Sequence, residues 1–217
     1  GDDVIVDFAH VPPGNHVLRN LGPDEPYGGG EPDVDFPLPD PDTTGQVMQF
    51  RVSASTAPDP STPAEFLALP AIAPLPPETR VRRLALLEHM HSLGEGGPTA
   101  ALLGSVDADP ADGPAGTTHL MWMDPVTENP SLGDTEVWEV YNLTADAHPV
   151  HIHEVAFEVV DRQPITVVDG FVDLDPDSPR TPPLPGETGR KDTVIAYPEQ
   201  VTRVRATFGM AGQYVWH

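Results

Sequence analysis

The chain has 217 residues, enough for one large β domain or for one domain plus part of another. Its 28 prolines and 19 glycines disfavour a helical fold, and the absence of cysteine excludes disulfides and zinc–thiolate sites within these residues. A formal net charge of −23 argues against nucleic acid or an anionic membrane as a partner, and no apolar run approaches the ~20 residues that span a bilayer.

Acid is concentrated in loops such as Asp33-Val34-Asp35 and Asp173-Leu174-Asp175-Pro176-Asp177, whereas Lys191 is the single lysine. That balance fits either the solvated shell of a halophile's protein or an ordinary acidic exported protein. Gly1 is no natural initiator, so the lack of a leader carries no information about compartment.

In chain order, Asp3 to Phe8 alternates like a strand, Pro12-Pro13-Gly14 makes a turn, and His16 to Leu18 is extended again. Leu21 to Asp42 is a loop too rich in glycine, proline and acid to pack. Val47 to Val52 is a further strand. Ser53 to Thr79 is proline-rich, with room for a short helix at Ala64 to Ala68. Residues 1–55 thus read as the end of one β domain, 56–80 as a linker, and 81–217 as a second domain. Its strands are expected at Arg82 to His89, Thr118 to Met123, Thr135 to Asn142, Val150 to Asp161, Asp192 to Ala196, Gln200 to Thr207 and Gln213 to Trp216. Many short strands with little helix predict an all-β sandwich or barrel, with Trp122, Trp138 and Trp216 in its core.

The densest chemistry is His148-Pro149-Val150-His151-Ile152-His153. Neutral imidazole is a ligand for copper, iron, nickel or zinc. Pro149 bars a helix, and strand alternation puts His151 and His153 on one face with His148 on the other, so one segment can serve two metal sites. His217 ends a second suggestive run, Tyr214-Val215-Trp216-His217. Glu88-His89-Met90-His91 also contains His-x-His but reads as part of a structural strand. His10, His16 and His119 are isolated. Asp192 and Glu154 lie near the cluster in sequence and are candidates for proton delivery; alternation turns Glu154 away from His151 and His153.

The run from His148 to Arg162, with Phe157 and Val159 between, resembles the HPxHxHxxxFxVxxR signature of multicopper oxidases. Trp122 to Pro130, Gly133 to Trp138, Gly189 to Thr193, Ala206 to Gly209 and Tyr214 to His217 resemble the spore-coat laccase and bilirubin oxidase branch, in order and spacing. Asp3 to Phe8 and Met48 to Val52 resemble the end of that branch's second cupredoxin domain.

The resemblance implies an all-β, cupredoxin-like Greek-key sandwich: the end of one cupredoxin domain and a nearly complete C-terminal one. It also implies copper in type 1, type 2 and type 3 sites, four ions in the whole parent. Carried over by position, His148 resembles a type 1 ligand, His151 a type 2 ligand, and His153 and His217 type 3 ligands. The implied activity is laccase-like oxidation of phenolic or related aromatic donors coupled to reduction of dioxygen to water, outside the cytoplasm. Ala147 and the loop carrying Gly28, Gly29 and Gly30 resemble segments bordering the donor's entry. The family's type 1 cysteine follows the position of His217, and its N-terminal cupredoxin domain supplies further histidines; neither lies in these residues, so the chain by itself is expected to be inactive. A copper-binding module without turnover and a metal-free cupredoxin scaffold are the alternatives. An intact histidine triplet speaks against the scaffold.

Overall fold

A computed structural model describes residues 4–91 and 97–217, and the chain divides into two compact units, Asp2–Ala71 and Ile72–His217.

In the first unit, β1 (Gly14–Arg19) pairs antiparallel with β2 (Gln46–Val52), with His16 opposite Phe50. Asp3 lies outside the described residues, and Val4 to Phe8, expected as a strand, has no ladder partner among the described residues. Alternation prepares a segment for a sheet but does not supply the neighbouring strand. The Phe8 ring instead rests against Phe50, centroids 5.2 Å apart. The helix expected at Ala64 to Ala68 is one 3-10 turn, Ala64–Phe66, too short to repay helix nucleation.

The second unit carries the rest: β3 (Arg80–Met90), β4 (Pro98–Val106), β5 (Thr117–Leu120), β6 (Thr135–Asn142), β7 (His148–His151), β8 (Glu158–Pro164), β9 (Thr166–Val168), β10 (Phe171–Asp173), β11 (Thr193–Ala196) and β12 (Gln200–Thr207). Six of them form one sheet in the order β5-β4-β3-β6-β12-β8, antiparallel except where β3 runs parallel to β6. The pairs β7–β11 and β9–β10 stand apart from it.

Side-chain period decides what each pair covers. Leu84, Trp138, Val140 and Val204 leave one face of the sheet and meet Val150 and Ile152 from β7 and its extension, with Val194 and Ala196 from β11. Phe157 is fully buried there, and burying such a ring contributes roughly 1.5–3 kcal/mol. Ala85, Tyr141 and Val201 leave the opposite face and meet Ile165, Val172 and Leu174. That face also buries charge. Arg203 donates to Glu139 and Asp161, each at 2.7 Å, and to Gln163 at 2.9 Å, while the Tyr141 hydroxyl donates to Glu139 at 3.1 Å. Burial next to that carboxylate pushes the phenol's pKa upward.

Several expectations change: the strand expected from Thr118 to Met123 ends at Leu120, and Gln213 to Trp216 contributes only an isolated bridge at Trp216. β4 was not foreseen, because Pro98-Thr99-Ala100-Ala101 lacks alternation and its place is set by pairing with β3. The single strand expected from Val150 to Asp161 is two, β7 and β8, parted by a turn in which Glu154 takes φ 65°. This left-handed residue costs about 1–2 kcal/mol and lets the chain return so that Phe157 bridges Lys191. Finally, Trp138 is a core residue at 3 % exposure, but Trp122 is 86 % exposed.

Candidate metal centre

The carriers of the histidines are β7 and the last residues of the chain. His151 and His217 exchange two backbone hydrogen bonds, at 2.7 and 3.0 Å, and Val215 accepts from the His153 amide at 3.2 Å. Directly opposed residues of an antiparallel pair project to the same face. The His217 ring is thereby set beside that of His151, and alternation adds His153. The intervening Ile152 and Trp216 form a bridge whose side chains go to the core.

The ligand atoms of His151, His153 and His217 lie within 4.8 Å of one another. Among the described residues this is the only group of three or more metal-capable side chains so gathered. The Nε2 atoms of His153 and His217 are 3.4 Å apart. Two nitrogens at about 2.0 Å from one tetrahedral ion are separated by about 3.3 Å, so the spacing suits a shared ion. His151 is half-buried and the other two are exposed.

Backbone geometry also fixes how His151 presents itself. Its Nδ1 lies 2.7 Å from the Asp192 carbonyl oxygen and 3.1 Å from Thr193 Oγ1. A carbonyl only accepts, so Nδ1 carries the proton and Nε2 is left for a metal. Asp192 is held for this task because Thr193 pairs with His151 across β11 and β7.

His148 is not in the group. It stands three positions before His151 on β7, an odd offset that turns it to the other face, and its Nε2 faces Thr144 Oγ1 at 2.7 Å. Ala147 precedes it, half-buried. Gly28, Gly29 and Gly30 belong to the other unit, where the loop closes on itself. Asp35 Oδ2 accepts from the Glu31 amide at 2.8 Å, and a Cβ at Gly30 would stand 2.6 Å from that of Asp35. Glu154 is exposed in its turn. His89 and His119 meet edge to face with centroids 5.1 Å apart, outside the cluster.

Two supporting parts were invisible as functional residues in the sequence. One is Thr144, whose only signal is a short hydroxyl residue four positions before a histidine. The other is the clamp of Arg162, which donates to Glu187 at 2.8 and 2.6 Å and to the Ile195 carbonyl at 2.9 Å. Arg162 belongs to the histidine-containing signature, yet it touches no histidine; it anchors β11, the strand that β7 leans on. Beside His153 a groove of about 510 Å³ opens, lined by Trp138, Val155, Phe208, Tyr214 and Trp216.

A sequence model of the multicopper oxidase family matches residues 98–217. The chain belongs to the multicopper oxidases. This multicopper oxidase chain is 33% identical over 220 residues to a laccase of Bacillus subtilis, covering 99% of the chain and 37% of that protein. To a laccase of Bacillus stratosphericus it is 34% identical over 223 residues, covering 99% and 38%. Its fold superposes on a multicopper oxidase from Campylobacter jejuni, described as a metallo-oxidase, with a TM-score of 0.52 at 17% identity, over 95% of this chain and 38% of that one. The all-β, cupredoxin-like architecture is thus shared with the family. The chain spans less than two-fifths of the length of these laccases. Family membership implies copper, and an all-imidazole group with one tautomer already set fits that ion.

Proposed function

We propose that the chain is the histidine-bearing part of a laccase-like oxidase, which takes electrons singly from phenolic or related aromatic donors and passes them to dioxygen. The observation that carries this is the gathering of His151, His153 and His217 on one face of a segment whose other face presents His148. We assign His148 to the type 1 site, His151 to the type 2 site, and His153 and His217 to the type 3 pair. Copper, when bound, supplies the one-electron acceptor at His148 and the four-electron reduction of dioxygen at the other three.

The chain's own residues have simpler tasks. Pro149 and Val150 join the two environments by two residues of extended backbone, Val150 being buried, so His148 and His151 are held at a fixed separation. The Asp192 carbonyl keeps His151 on its Nδ1–H tautomer. The carboxylate of Asp192, which accepts from Thr193 Oγ1 at 3.0 Å, is assigned the task of holding a proton for the reduction of dioxygen. We assign Ala147, the neighbour of His148 in sequence, to the donor's approach.

The test is made in the full-length parent with an oxygen electrode and a methoxyphenol as donor. Dioxygen uptake matching four electrons withdrawn from the donor, abolished by His151→Ala, is expected. Copper binding without dioxygen uptake would replace the oxidase by a copper-binding module, and no copper binding would leave a scaffold.

A further inference from the structure

The loop from β6 to β7 is organised around one amide. Asn142, fully buried, donates from Nδ2 to the Asp146 carbonyl at 2.8 Å and to the Ala196 carbonyl at 3.0 Å. Both partners only accept, so the orientation of the amide is forced. Its Oδ1 therefore faces Thr144, accepting from the backbone amide at 2.9 Å and from Oγ1 at 2.8 Å. The Ala196 end matters, because Ala196 is the register partner of His148.

Thr144 has one hydroxyl proton and three close neighbours: Asn142 Oδ1, the Asp146 carbonyl at 3.0 Å, and His148 Nε2 at 2.7 Å. Given to the imidazole, that proton would leave the hydroxyl oxygen against two carbonyl-type oxygens with no hydrogen between them. Given to Asn142 or Asp146, it leaves a lone pair free for an Nε2–H donor. The second arrangement leaves one bare oxygen–oxygen contact in place of two and pairs the Nε2–H with a free lone pair, so it is the favoured one. The Asp146 amide, at 3.3 Å, also approaches the oxygen as a donor.

We infer that Asn142 and Thr144 are positioning residues that lock His148 as its Nε2–H tautomer, leaving Nδ1 as the metal-binding nitrogen. This rests on the assignment of His148 as a copper ligand and adds how the chain chooses its donor atom. His151 is set the other way, with Nδ1–H on a carbonyl and Nε2 free. One short segment thus offers opposite ring nitrogens from its two faces.

The experiment is a two-bond proton–nitrogen correlation spectrum of the histidine rings in the metal-free 217-residue chain, followed by copper(II) titration with line broadening as the readout. His148 is expected as a single Nε2–H tautomer. Thr144→Ser retains it, and Thr144→Val gives a tautomer average. Broadening of the His148 ring in Thr144→Val then requires about 10- to 100-fold more copper, the usual cost of losing a partner behind a ligand. An Nδ1–H form or a mixture in the unsubstituted chain overturns the latch, as does a Thr144→Val spectrum identical to the unsubstituted one. Should Thr144→Val fail to fold, the unsubstituted and Thr144→Ser spectra decide the matter alone. A latched tautomer whose signals copper does not broaden leaves the latch standing and removes the ligand assignment.

Discussion

Two histidine environments lie three residues apart on β7, and they are built from different materials. His148 leans on side chains, the hydroxyl of Thr144 and behind it the amide of Asn142. His151 leans on backbone: its ring donates to a main-chain carbonyl, and His217 reaches it through main-chain pairing. The difference teaches where each is vulnerable. A side-chain support can be deleted by one substitution, whereas a backbone support survives most substitutions and is lost only when strands separate.

The strongest way to break the comparison is to remove imidazoles. His151→Ala with His153→Ala should lower copper(II) uptake by the chain, measured calorimetrically, by more than about 100-fold, beyond the cost of losing a mere supporting partner. His148→Ala should leave the uptake of the trio unchanged. Equal losses from both variants would mean that the two environments are one site.

Next comes the strand they share. Arg162 is 4 % exposed, and Arg162→Met strands the Glu187 carboxylate and frees the Ile195 carbonyl. A loss of about 3 kcal/mol is expected. In thermal unfolding that is a fall in Tm of roughly 6–12 °C. Both histidine environments should weaken together, because β11 pairs with β7 from His148 to His151. An unchanged Tm would show that β11 holds its place without the clamp.

The same clamp has a pH signature. Burial pushes the Glu187 carboxyl up, but the Arg162 guanidinium and the Leu184 amide outweigh it, and the net shift is below the ordinary value of 4.5. A carboxylate depressed on folding contributes stability that is complete above the unfolded value and is lost as pH falls through the folded one. The stability gap between the unsubstituted chain and Glu187→Gln, from urea midpoints, should be constant near neutrality and close as the solution is made more acid than pH 4.5. A gap that widens in acid contradicts the assignment.

The smallest effect sharpens the contrast most. Thr193→Val removes a hydroxyl 3.1 Å from His151 Nδ1, yet the Asp192 carbonyl at 2.7 Å remains. Copper affinity at the trio should change by less than the about 10-fold floor typical of supporting partners. A loss as large as that expected for Thr144→Val at His148 would erase the distinction between backbone and side-chain support.

Much of this was written in the chain itself. Proline and glycine content disfavoured a helical fold, short alternating runs marked Thr135–Asn142 and Gln200–Thr207 as strands at their observed bounds, and the spacing of His148, His151 and His153 assigned their faces. These are local properties, fixed by backbone sterics and by the two-residue period of an extended chain. Even the break after His153 keeps that facing, because β7 and its bridge at Ile152 persist just far enough.

Tertiary structure decided the rest, and in each case because a partner distant in sequence was needed. Val4 to Phe8 alternates but finds no ladder among the described residues, while Pro98–Val106 lacks alternation and is a strand because β3 is beside it. Trp122 and Trp138 are the same residue type, yet only Trp138 sits on a strand buried on both faces. The tautomer of His151 depends on a carbonyl 41 positions away in sequence, and the seat of His217 on a backbone pair with His151, 66 positions earlier (217 − 151). Sequence spacing determined which histidines share a face. Only folding determined which of their nitrogens is free, because a hydrogen-bond partner is a position in space and not a distance along the chain.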